Sequence, residues 1–192
     1  MKAQALLLTL LLLVSVPLNA GTINGTVLLT GLRDNSNAVV YIQKILGKTF
    51  PPPREPAIMD QVNIAFTPHV LPILAGTRVV FPNNDEIRHN VFSPDAKFTL
   101  GTYQKGASKF QVFNTPGVVT LLCNVHAEMS AYVIVTETPY FAVTDSRGYF
   151  EIKDVPAGRY TITAWSERLK PQTISVVVPE GGTAGANFQL KK

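Results

Sequence analysis

Cys123, His126 and Met129 set a thiol, an imidazole and a thioether within seven residues, in the run Cys123-Asn124-Val125-His126-Ala127-Glu128-Met129. With His89 upstream they form a two-His, one-Cys, one-Met set that suits copper cycling between its two oxidation states. Copper(I) prefers few, soft ligands and copper(II) more and harder ones, so a fixed site that suits both limits rearrangement during electron exchange. No paired titratable groups suggest acid or base work and no open coordination position is evident, which points to a carrier and not an enzyme.

Cys123 is the single cysteine of the 192 residues. No internal disulfide can form, which leaves a buried inert thiol, a reactive thiol or a metal ligand. The N-terminus favours the third reading. Met1 and Lys2 give a positive start, Ala5 to Val16 is apolar except for Thr9 and Ser15, and Pro17-Leu18-Asn19-Ala20 ends on a small residue. This pattern predicts a signal peptide, residues 1–20, cleaved after Ala20. The apolar run is shorter than the roughly 20 residues of a membrane span, and Gly21 after the cut excludes lipid attachment to a cysteine there. In an oxidising compartment such as the periplasm, an accessible unpaired thiol is a liability unless something occupies it. The formal net charge of +4 is scattered, so nucleic acid is not implied.

The elements that must position these ligands are strands. No helical period is sustained, whereas short apolar alternations bounded by Gly, Pro, Asn and Asp recur. Expected strands are Ile23 to Leu29, Ala38 to Gln43, Ile58 to Phe66, Arg78 to Phe81, Asn90 to Phe92, Ser108 to Phe113, Val118 to Leu122, Ala131 to Val135, Phe150 to Ile152, Gly158 to Ala164, Thr173 to Val178 and Gly185 to Leu190. Val118 to Leu122 reads as a strand buried between two sheets. Cys123 then sits at a rigid strand end, and His126 and Met129 fall in the loop before Ala131. His89 enters from a different hairpin, after Pro82-Asn83-Asn84-Asp85.

Gly76-Thr77-Arg78-Val79-Val80-Phe81, then Asn83, then His89-Asn90-Val91, then the Cys-x2-His-x2-Met loop resemble the cupredoxin family, with the loop spacing of its amicyanin branch. The resemblance covers about Ala57 to Thr138. It implies a Greek-key β-sandwich holding one copper ion through His89, Cys123 and His126 in a trigonal plane, with Met129 as a longer axial ligand. It implies further that Asn90 ties the ligand-bearing loops together and donates towards the Cys123 sulfur. His126 becomes the electron port, Val125 and Ala127 an apolar docking patch, and a c-type cytochrome or periplasmic dehydrogenase the redox partner. Protonation of His126 in the reduced state at mildly acid pH is a further expectation of that branch. Asn124-Val125 departs from the family, where a proline is common, and so does Glu128 beside the axial Met.

Thr144-Asp145-Ser146-Arg147-Gly148-Tyr149-Phe150, followed by Val155-Pro156-Ala157-Gly158-Arg159-Tyr160-Thr161, resembles the later strands of the carboxypeptidase regulatory-like β-sandwich. Asp145 and Gly148 fit a hairpin turn. Ile23-Asn24-Gly25-Thr26-Val27 and Asn37-Ala38-Val39-Val40-Tyr41 resemble its opening strands. The expected fold is therefore all-β, with a cupredoxin domain over 57–138 inserted in a small sandwich whose halves are 22–48 and 139–191. Two domains in series is the alternative. Pro51-Pro52-Pro53 supplies a stiff linker.

Simpler readings stand beside these. Met129 could be core packing, Glu128 a solvated charge, and Trp165 a packing residue. His69 could be structural or an accessory ligand. Lys97, Lys105 and Lys109 could form a basic face for an acidic partner or be separate solvated charges. A copper-binding or delivery module without rapid redox exchange is the second functional reading, and a structural β-protein with a vestigial site the third.

Overall fold

Gly, Pro, Asn and Asp punctuate short runs of β-branched and aromatic residues, and the backbone folds accordingly. The computed structural model describes residues 19–192, which form seventeen strands and no helix. Most of the segment read as an export signal, residues 1–18, lies outside the described residues.

The first strand finds its partners at the far end of the chain. β1 (Gly21–Leu29) lies between β14 (Tyr149–Val155), antiparallel to it, and β17 (Thr183–Leu190), parallel to it. The opposing sheet runs in the order β13 (Phe141–Val143), β2 (Val39–Ile42), β15 (Gly158–Trp165), β16 (Gln172–Val178). β17 alternates strictly, with Ala184, Ala186, Phe188 and Leu190 buried, as a half-buried strand of period two must. They share a core with Ile23, Ile42, Phe150 and Ile162. β1 and β17 approach closely at Gly25, where a Cβ would lie 1.7 Å from the Ala186 carbonyl oxygen.

A second core encloses the candidate ligands. One sheet has the order β6 (Val70–Leu74), β12 (Ser130–Thr136), β11 (Gly117–Leu122), β8 (His89–Ser93), β9 (Phe98–Tyr103). The other has the order β10 (Ser108–Phe113), β7 (Thr77–Pro82), β3 (Ala57–Ile58). A hairpin of β4 (Asp60–Val62) and β5 (Ala65–Thr67) stands beside them. Phe81, Val91, Leu121, Val133, Cys123 and Met129 belong to this core.

β12 serves two cores at once. Ala131, Val133 and Val135 face the ligand-bearing core, and Ile134, with Tyr132 against it, packs with Val39, Val70 and Trp165. Val39 and Trp165 come from β2 and β15, so the two sandwiches meet across the outer face of the sheet that carries Cys123. Fully burying a side chain such as Ile134 is worth roughly 1.5–3 kcal/mol.

Several expectations need correction. The run Ile58 to Phe66 is not one strand: Asn63 and Ile64 adopt φ of 53° and 59° and turn the chain between β4 and β5. β9 and β13 were not anticipated. β6 contains Pro72, tolerated because β6 is an edge strand. β9, also an edge, is interrupted by Gly101 at φ 66°. β11 is not buried on both faces, since Val118 is 38% exposed. The turn at Asp145 to Gly148 does close as a hairpin turn, with the Gly148 N–H on the Asp145 carbonyl at 2.9 Å, the Asp145 N–H on the Tyr149 carbonyl at 3.0 Å and Gly148 at φ 86°, but the strands that it joins, β13 and β14, lie in opposing sheets.

Candidate metal centre

β8 and β11 run antiparallel and meet at Leu122 opposite Phe92, which brings the start of one strand beside the end of the other. His89 opens β8 and Cys123 follows β11. The seven-residue loop is closed by its own backbone: the Cys123 N–H donates to the Met129 carbonyl at 3.2 Å, and the Met129 N–H to the His126 carbonyl at 3.1 Å. His126 is thereby folded back towards Cys123.

The ligand atoms of His89, Cys123 and His126 all lie within 4.8 Å of one another. His89 Nδ1 is 4.0 Å from Cys123 Sγ and 3.2 Å from His126 Nδ1. Two ring nitrogens that each bind one cation at about 2.0–2.1 Å can span such a distance. Lone pairs converging this closely repel unless a proton or cation lies between them, and a cation also answers the sulfur. The donor set, two imidazoles and a thiolate, fits copper. His89 is wholly buried, Cys123 is buried and His126 half-buried, with Val125 and Ala127 exposed around it. Met129 is 1% exposed and lies in the same core as Cys123.

Asn90 reaches the site through its backbone. Its main-chain N–H, not its side chain, donates to Cys123 Sγ, at 3.4 Å. The side chain donates to Thr99 Oγ1 on β9 at 3.4 Å, tying β8 to its neighbour strand and not to the ligand loop.

Behind His89 stands Asp85, to which sequence reasoning assigned no role. Asp85 Oδ2 lies 2.9 Å from His89 Nε2 and accepts the Ile64 N–H at 2.7 Å. That N–H and then the His89 ring hold the Asp85 carboxyl below its ordinary value. An acid four residues before a candidate ligand His was the available signal. Nearby, Tyr103 Oη donates to the Phe81 carbonyl at 3.0 Å and accepts from Gln61 Nε2. Burial pushes the Tyr103 hydroxyl up to about 12.

His69 is not among the clustered ligands; its Nε2 lies 3.0 Å from Glu167 Oε2, between the two sandwiches. Lys105 pairs with Glu86 at the surface, and Lys109 reaches the Leu100 carbonyl. Glu128 is exposed, and Trp165 is 8% exposed and packs.

The model of the carboxypeptidase regulatory-like domain family matches residues 126–191. That match begins within the ligand loop and takes in β12, which pairs in the sheet of β11 and β6, and it omits β1 and β2. No curated protein matches the chain. Among solved structures, a purple cupredoxin from Nitrosopumilus maritimus is 24% identical, with 42% of this chain and 99% of that one covered at a TM-score of 0.39. A Cu-containing nitrite reductase from Thermus scotoductus is 25% identical, with 50% of this chain and 25% of that one covered at a TM-score of 0.42. An oxidised amicyanin variant is 20% identical, with 42% and 81% covered at a TM-score of 0.39. The described residues are thus all-β; over part of its length the chain is similar to cupredoxins, and residues 126–191 are similar to the carboxypeptidase regulatory-like domain.

Proposed function

We propose that this chain is an exported, periplasmic copper protein that carries single electrons and is not an enzyme. The observation that carries the reading is the convergence of His89 Nδ1, His126 Nδ1 and Cys123 Sγ at the ends of two paired strands, with the Asn90 N–H on the sulfur. Met129 would complete the set as a weak fourth donor. The copper, when bound, supplies the one-electron change. The chain's residues hold the donors in one arrangement: β8 and β11 fix His89 and Cys123, and the backbone bonds of the loop fix His126. Buried donors that do not move between oxidation states are what rapid exchange requires.

His126 is half-buried beside Val125, which is 47% exposed, so the contact with a redox protein such as a c-type cytochrome or dehydrogenase is proposed at this apolar rim. The ligand-bearing sandwich, 57–138, is proposed to be inserted in a regulatory-like sandwich made of 22–48 and 139–191. The pairing of β1 with β14 and β17 supports that division.

The test is to add copper(II) to protein spanning residues 21–192 and record the visible spectrum and a voltammogram. An intense thiolate-to-copper band and a reversible wave are expected. A colourless product overturns the reading; a coloured product without a reversible wave, which yields its metal to a chelator, overturns the carrier and leaves a delivery protein.

A further inference from the structure

Asp85 donates no atom to the ligand cluster, yet it faces the back of the one ligand that is wholly buried. Its Oδ2 lies 2.9 Å from His89 Nε2, and its side chain is 13% exposed. A carboxylate only accepts hydrogen bonds, and a neutral imidazole carries one ring proton. At that distance the proton belongs on Nε2. The Nδ1 lone pair is then left pointing at Cys123 and His126, the two groups that lie 4.0 and 3.2 Å from it.

Asp85 is itself fixed both at its main chain and at its carboxylate. Its N–H donates to Asn83 Oδ1 at 2.9 Å, and Asn83 Nδ2 is bound to the carbonyls of Ile87 and Tyr103 at 3.0 and 3.1 Å. The Ile64 N–H donates to Oδ2 at 2.7 Å. Ile64 does so at φ 59°, a left-handed conformation that a β-branched residue rarely takes. Such conformations persist where the surroundings over-determine them, and here the Asn63-Ile64 turn is what aims the N–H at Asp85.

Resting on the copper reading above, we propose that Asp85 is a positioning residue that fixes the tautomer of His89 and, by its negative charge, biases the site towards copper(II). A carboxylate behind a ligand imidazole raises the basicity of the ring, and a nearby negative charge favours the more highly charged ion. Asp85→Asn keeps an acceptor oxygen and removes the charge, whereas Asp85→Ala removes both.

Nitrogen NMR of the metal-free protein at about pH 8, where an ordinary imidazole is neutral, reads the tautomer directly. Wild type and Asp85→Asn are expected to carry the proton on Nε2, and Asp85→Ala to shift towards Nδ1. In the copper-loaded protein both variants are expected to show a raised reduction potential, and Asp85→Ala to lose about 10–100-fold in copper(II) affinity. An Nδ1 proton in the wild type overturns the positioning role, and an unchanged potential in a normally coloured Asp85→Asn protein overturns the charge effect. If the wild type takes up no copper, the site reading fails together with the redox bias, and the tautomer result still decides the positioning role by itself.

Discussion

Tyr132 and Trp165 meet with ring centroids 5.2 Å apart and planes tilted by 58°, one from β12 beneath the ligand loop and one from the end of β15. The pair joins the two sandwiches through apolar contact, and Trp165 is buried to within 8%. Trp165→Ala should cost about 3–5 kcal/mol in chemical denaturation. A loss below about 1 kcal/mol would mean that the sandwiches are not held together here.

Beside that pair, His69 and Glu167 give the interface a pH dependence. Burial pushes the Glu167 carboxyl up, but hydrogen bonds from His69 and Tyr132 outweigh it, and the net position is below the ordinary value. A depressed folded-state value means that stability is present above the unfolded value, about 4.3, and is lost as pH falls through the folded one. Glu167→Gln should therefore cost about 0.5–1 kcal/mol near neutral pH and nothing once both states are protonated. An equal cost at neutral and strongly acid pH, read from denaturation midpoints, would contradict this.

The ligand loop separates two roles by substitution. Cys123→Ala should leave the β-rich far-ultraviolet spectrum intact and abolish the visible band with copper. Met129→Leu should keep the band and raise the potential, because the axial donor tunes it, at a folding cost under about 1.5 kcal/mol. Loss of copper from the Met129 variant would place Met129 among the essential donors.

How much of this was legible depended on how local the cause was. Cys123, His126 and Met129 lie within one loop, so their spacing alone drew attention to them. His89 needs a strand pairing to reach them, and there the family resemblance carried what spacing could not. Asp85 was passed over because its role depends on how the Asn83 to Ile87 segment turns back and on an N–H from Ile64, 21 residues away. The partner of His69 is 98 residues distant. The turn within the run Ile58 to Phe66 was not legible because Ile64, a β-branched residue, takes a left-handed φ that such residues rarely adopt.

Tyr103 provides an optical test of the core beneath the site. With its hydroxyl pushed up to about 12 by burial, its contribution to stability is present below the unfolded value of about 10 and is lost as pH rises towards the folded one. A late tyrosinate phase should appear in alkaline absorbance titration and be missing in Tyr103→Phe. That variant should lose about 1–3 kcal/mol, since the Phe81 carbonyl loses its donor. A Tyr103→Phe titration identical to wild type would contradict the assignment.

Gly25→Ala tests the seam between the first and last strands. A Cβ at 1.7 Å from the Ala186 carbonyl oxygen cannot be accommodated without separating β1 from β17. The free energy of unfolding should fall by several kcal/mol, beyond the roughly 1 kcal/mol of a typical substitution. A neutral effect would show that the two strands do not approach in this register.

The pairing of β1 with β14 and β17 also dictates an order of events during synthesis. β1 and β2 emerge first, yet their neighbours β13 to β17 follow only after about a hundred residues have been made. The intervening strands pair almost wholly among themselves, and contacts closer in sequence form sooner. The ligand-bearing sandwich is therefore complete while Val27, Leu29 and Val40 still lack cover, and chaperone occupancy of the nascent chain should be highest in that interval.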